Sequence, residues 1–279
     1  IPVSYLVDDA SLKGLIGLQV HAVYEPEDEG KKTYWRNIRI QTRNLKPRPV
    51  DDIPVVNLIP NSLTDLEKKQ GFRLLWDGVS TRGWRGAFKP TFPGKGWEIK
   101  NGVLSVLPSG GGESTNGGDL ITEEKFGAFE LTFDFKFTPG ANSGVKYFVD
   151  EKYLSTGSAI GLEYQILDDA RHPDAKEGVV GNRTLGSLYD LIPSIKIQDI
   201  PREWNEGRIR VFPDNRIEHW LNGRKIVEYQ RGTPIYYALV ARSKYKDWEG
   251  FGMAEKGHIL LQDHGDAVSF RSIKIRELK

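Results

Sequence analysis

The sequence predicts an all-β fold, a sandwich of two antiparallel sheets, on three observations. Short segments of two-residue alternation recur from about Gly71 to the C-terminus, turn residues separate them at close spacing, and no segment of comparable length shows a 3.6-residue period. Seven Trp, 11 Tyr and 12 Phe suit pleated, half-buried surfaces, and 30 Gly supply the tight turns such a fold needs.

Taken in order, the chain first repeats its own end. Gly14–His21 (GLIGLQVH) aligns without gaps to Gly257–His264 (GHILLQDH), and Trp35–Ile40 (WRNIRI) to Phe270–Ile275 (FRSIKI). Residues 1–43 therefore read as the C-terminal strands of a preceding, incomplete repeat of the same domain, in a longer tandem protein. Their apolar face, Ile16, Leu18, Ile38 and Ile40, needs cover. Residues 44–70, with Pro and Arg, read as a linker, and residues 71–279 as the complete sandwich.

Within the sandwich, Trp97–Val106 reads as a hairpin, because Asn101-Gly102 supplies the positive φ angles of a two-residue turn. Gly127–Phe137 alternates strictly, setting Phe129, Leu131, Phe133, Phe135 and Phe137 on one face. Segments 162–167, 208–212, 217–229 and 269–276 continue the pattern.

Composition removes several functions. A formal net charge of +1 gives no field for nucleic acid or anionic membrane. No apolar run approaches a membrane span, and no charged-then-apolar leader opens the sequence. The absence of Cys excludes disulfides, thiolate nucleophiles and Cys-ligated zinc. No Gly-x-Ser-x-Gly elbow is present. The Gly-rich stretch 110–118 lacks the Lys-Ser or Lys-Thr of a phosphate loop and reads as a flexible rim.

Alternation places Glu163 and Gln165 on the face opposite Leu162, Tyr164 and Ile166, and Gln262 and His264 opposite Leu261 and Asp263. With Lys146 and Asn142 on a strand after a turn, these residues would form a polar cluster in a sugar-sized groove. Glu163 and His264 are the candidate catalytic residues; Lys146, Gln165, Asn142, Tyr189 and Gln262 are the candidate substrate-binding residues. His21 holds the repeated position of His264. Asp168, Asp169, His172 and Asp174 have the makings of a cation site, but loop acids of this kind more often form turns, so no metal is assigned.

The motifs Gly71-Phe-Arg-Leu-Leu-Trp-Asp-Gly, Asn142-Ser-Gly-Val, Glu163-Tyr-Gln-Ile-Leu-Asp, Trp220-Leu-Asn-Gly, Leu261-Gln-Asp-His-Gly and Phe270-Arg together resemble the 3-keto-disaccharide hydrolase family over residues 71–279. The resemblance implies a concanavalin A-like jelly roll and a secreted or periplasmic bacterial glycosyl hydrolase. It further implies cleavage of glycosides already oxidised to a ketone at sugar carbon 3, by C2 proton abstraction, β-elimination and hydration. Glu163 or His264 would transfer the proton, with Lys146 and Gln165 stabilising or orienting. A two-carboxylate glycosidase would have to pair Glu163 with Asp168. A carbohydrate-binding module using the same groove without catalysis is the alternative, and the cofactor is unknown.

Overall fold

The computed structural model describes residues 5–7, 13–19, 22, 24–44, 55–110, 112–152, 159–195 and 203–279. The chain divides into two compact units, residues 1–59 and 60–279. In the first, β1 (Tyr5–Val7) pairs in parallel with β2 (Val55–Asn57). Residues 14–19 and 35–40, which the repeat reads as strands, carry none, and Ile16, Leu18, Ile38 and Ile40 are exposed. A strand is stabilised by its neighbours, and a half-sheet lacks them. His21 lies outside the described residues.

The second unit begins at Pro60, eleven residues before the alternating pattern, so residues 60–70 belong to the sandwich unit and are not linker. Asn61 accepts from Ser272 N (2.8 Å) and donates to the Gly102 carbonyl (2.8 Å). Helix α1 (Asp65–Lys69) is started by a reciprocal Thr64–Glu67 capping box, and Glu67 pairs with Lys274 at 2.7 Å. These contacts have no two-residue period, so alternation could not reveal them.

Two antiparallel sheets follow, as expected of a concanavalin A-like sandwich. The large sheet runs in the order β13 (Arg224–Gln230), β12 (Arg216–Leu221), β11 (Asn205–Val211), β8 (Phe129–Phe137), β15 (Val268–Glu277), β6 (Val103–Val106) and β5 (Trp97–Lys100), with β3 (Arg73–Leu74) also on β15. The small sheet is β10 (Ile160–Leu167), β9 (Asn142–Asp150), β14 (His258–Leu261), β7 (Leu120–Thr122) and β4 (Trp84–Gly86).

The inner faces meet in one apolar core. Phe129, Leu131, Phe133 and Phe135 of β8 are buried, Phe137 packs at its edge, and Phe133 meets Tyr164 of β10 edge-on at 5.5 Å. Trp76, Trp84 and Trp97 are core residues, each with its indole N–H on a backbone carbonyl, so none is a sugar platform. A second helix, α2 (Pro234–Ala241), stands between β13 and β14, started by Thr233 and Pro234. Its apolar run hid a helical period; only Tyr236 is buried. No helix among the described residues is long and apolar enough to cross a membrane.

Candidate functional site

Alternation on the small sheet sends one set of side chains into the core and the other to a cleft of about 320 Å³, the lower end of the usual range for ligand sites. Glu163, Gln165, Asn142, Tyr189, Gln262 and His264 all line it. Six of the seven residues expected in the groove are thus brought together.

Lys146 is the exception. It sits opposite Glu163 in the β9–β10 register, is buried, and does not line the cleft. Its ammonium lies 3.6 Å from Glu113 Oε1. Lys146 is therefore a counter-ion beneath the site, not a group in contact with the cleft. Alternation fixed its face correctly but could not show that Glu113, from the Gly-rich loop, closes over it.

From residue 112 to 118 that loop is held, not loose. Buried Asp263 accepts from Gly117 N (3.1 Å), Gly118 N (2.9 Å) and Gly265 N (3.1 Å), and Gly96 and Gly117 approach too closely for either to carry a Cβ. The loop delivers Glu113 into the cleft, where it accepts from Gln262 Nε2 at 3.0 Å.

Burial dominates the electrostatics. Glu163, Asp119 and Glu113 share the ammonium of Lys146, which they keep above its ordinary range although burial works against its charge. Burial first, then the neighbouring acids Glu113 and Asp119, lift Glu163 to about 7, against the pull of Lys146 and Lys244. Asp119 rises to about 6 by burial. Lys146 stays charged, and Glu163 is the carboxyl whose proton exchanges near neutrality.

Space for that carboxyl comes from β9. A Cβ at Gly144 would collide with Glu163 Oε1. Gln165 satisfies its surroundings with its amide nitrogen toward Glu163 Oε1 and the Ser143 carbonyl, each 3.2 Å away; its oxygen then meets the Asn142 amide, also at 3.2 Å. The other amide atom of Asn142 lies 3.3 Å from His264 Nε2.

Tyr189 arrives on a segment that runs along the edge of β10, its N–H bonded to the Glu163 carbonyl at 3.1 Å. Its hydroxyl donates to Asp174 (2.8 Å), which also pairs with Arg183 (3.0 Å). Lys244 stands 4.3 Å from the Tyr189 ring centre, and burial holds its amine below the usual range.

Sequence reasoning did not assign Lys244, His172, Asp174, Glu177 or Glu113 to the groove. Lys244 follows a short helix with no strand periodicity around it, so no local signal marks it. His172 and Asp174 were visible as a cluster of potential ligands. Asp168 does not join Glu163 in the cleft lining: its carboxylate accepts from Gly140 N (2.8 Å) and Arg171 (3.0 Å), closing a turn. The Glu163–Asp168 pair therefore does not exist as a catalytic arrangement, because strand alternation and the turn send the two apart.

A sandwich whose small sheet carries a polar, ion-rich cleft around a buried carboxyl is the frame of a carbohydrate-active enzyme. Residues 71–276 match the model of the 3-keto-alpha-glucoside-1,2-lyase-like domain, and the chain belongs to that family. It is 36% identical over 230 residues to a 3-keto-disaccharide hydrolase of Bacteroides thetaiotaomicron, covering 75% of this chain and 79% of that protein. A solved structure from Parabacteroides distasonis, described as a "putative glycosyl hydrolase", superposes with a TM-score of 0.69 at 30% identity, over 79% of this chain and all of that one. A second structure of the same description and organism gives 0.50 at 27% identity, over 70% and 99%.

Proposed function

We propose that this enzyme cleaves glycosides carrying a ketone at sugar carbon 3. Glu163 takes the C2 proton, the C–H electrons pass to the C3 carbonyl oxygen, and the resulting enolate expels the C1 substituent, whose oxygen takes up a proton as it leaves as the alcohol. Water then adds to the unsaturated sugar. The observation that carries this reading is the burial-lifted Glu163 carboxyl, poised near 7 in the cleft. Two of the other acids there have different work: Asp174 is tied to Arg183 and Tyr189, and Glu113 to Lys146 and Gln262; the third, Glu177, is exposed. One exchangeable carboxyl suits proton abstraction better than direct displacement, which requires a placed pair.

Lys244 takes the part first expected of Lys146, since it lines the cleft and can face the developing enolate oxygen. A purely lectin-like role is disfavoured, because Tyr189 is the sole Tyr, Trp or Phe among the described lining residues.

The deciding experiment is turnover of a 3-keto-disaccharide in deuterium oxide, followed by mass spectrometry. The released 3-keto-sugar gains one carbon-bound deuterium at C2, and Glu163→Gln shows neither release nor exchange. Release with the C2 hydrogen fully retained would exclude the elimination route.

A further inference from the structure

A second pocket, of about 440 Å³, opens at the other end of β14 from the cleft. The cleft residues Gln262 and His264 follow β14, whereas residues 253–256, which precede it, form one wall of this pocket. The remaining walls are the segment ahead of β8, the turn between β11 and β12, and Arg231 just after β13. We propose that this pocket binds the carboxylate of an acidic sugar, with Arg231 as its anchor. It shares no lining residue with the cleft and does not depend on the reaction proposed there.

Arg231 is only 8% exposed. Its Nε donates to Asn215 Oδ1 at 2.7 Å, and its Nη1 to the carbonyls of Gly252 (2.9 Å) and Ala254 (2.8 Å). The guanidinium carbon lies 3.7 Å from the centre of the Phe148 ring. These contacts fix the group firmly but bring it no negative charge, and Arg231 forms no ion pair with any described residue. The N–H groups of Nη2 meet no acceptor among the described residues. Burial draws Arg231 below the ordinary guanidinium range, and the groups that oppose this are tyrosines, not carboxylates. A guanidinium nonetheless keeps its charge at neutral pH. Buried charges in folded chains are paired; here the acid has to come from outside the chain.

The rest of the lining selects the anion. Lys256 is exposed in the pocket wall and forms no ion pair with any described residue, so it is a second cation in the same space. Arg231 and Lys256 stand against Glu255, the sole acid among the described lining residues, which leaves a single positive charge in excess. A monoanion such as a carboxylate matches that excess. Phe212, Pro213 and Met253 give apolar surface for a carbon skeleton. The Asn215 oxygen is engaged by Arg231, so its amide nitrogen is the donor it turns to a ligand, and Glu255 is an acceptor. A carboxylate carried on a hydroxylated ring meets all of these groups. A fatty acid leaves Asn215 and Glu255 unmatched, and a neutral sugar leaves the Arg231 charge unmatched. With Nη2 alone open, the carboxylate is held end-on through one oxygen, and its other oxygen is free for Lys256.

The test titrates the isotope-labelled full chain with glucuronate, glucose and hexanoate, following backbone and arginine side-chain signals by NMR. Glucuronate should give saturable shifts at residues 211–215, 231 and 253–256. Glucose should give none there, and hexanoate should bind at least about 10-fold more weakly, the worth of the hydroxyl hydrogen bonds it lacks. Lys256→Glu, at an exposed position, should weaken glucuronate about 5-fold. Arg231→Gln should abolish the shifts with unchanged circular dichroism; if that variant does not fold, Lys256→Glu decides. No glucuronate shifts in this pocket, equal binding of glucose, or wild-type affinity in Lys256→Glu would overturn the site. Hexanoate binding as tightly as glucuronate would overturn its assignment to a sugar.

Discussion

At the residue scale, the behaviour of the site follows from a carboxyl that has too little water and too many acidic neighbours. If Glu163 acts as the base, kcat/KM falls on the acid side of about 7, the point to which burial lifts it. A pH profile whose acid limb lies near 4.5, the ordinary glutamate value, would contradict that role. Glu163→Gln should lower kcat by ~100- to 10,000-fold, the usual worth of a positioned base. Gly144→Ala should reduce turnover almost as severely while leaving the Glu163 carboxyl present, because the added methyl occupies its place. Wild-type kinetics in Gly144→Ala would show that the carboxyl has freedom to retreat. Alternation marked the cleft faces of Glu163, Gln165, Gln262 and His264 because each lies on or beside a strand. It was blind to depth, so it could not separate Lys146, sealed beneath Glu113, from the residues that line the cleft.

At the scale of elements, the regular strands were legible and the pieces that finish the site were less so. The β8 face from Phe129 to Phe135 was readable because apolar residues recur at the strand period and fill the space between the sheets. The Gly-rich loop gave no period, and its order depends on a carboxylate about 145 residues away in sequence. Helix α2 was missed for a different reason: Pro234–Ala241 is apolar nearly throughout, so no face stands out. Asp263 joins the loop to the turn after β14. Asp263→Ala strips three backbone N–H groups of their acceptor, and each unsatisfied buried donor costs about 1–3 kcal/mol. The expected outcome is a lower unfolding midpoint together with faster proteolysis within residues 110–118. Unchanged cleavage of that loop would show that something else holds it.

For the molecule as a whole, the buried acids couple folding to pH. Glu163 binds its proton up to about 7 in the folded chain but only up to about 4.5 when unfolded. Its contribution to stability is therefore full below about 4.5 and is lost as the pH rises toward 7. Asp119 acts in the same direction between 3.8 and about 6. Buried His219, held down to about 4, acts oppositely, gaining stability as pH rises through the same range. The clean readout is therefore the difference between two chains. Urea unfolding of Glu163→Gln should improve relative to wild type between pH 5 and pH 8, on the order of 2 kcal/mol. A difference that is flat with pH would mean that Glu163 titrates normally in the fold.

The last two strands of the chain occupy the middle of both sheets: β14 lies between β9 and β7, and β15 between β8 and β6. Until they are in place, the small sheet is two fragments, the large sheet is two fragments and an unpaired β3, and five strand edges have no neighbour. A ribosome that has released everything up to residue 257 has thus made a body that cannot close. Residues 258–279 act as a keystone, and the same stretch brings Gln262 and His264 to the cleft. A nascent chain stalled short of that stretch should consequently be prone to clump.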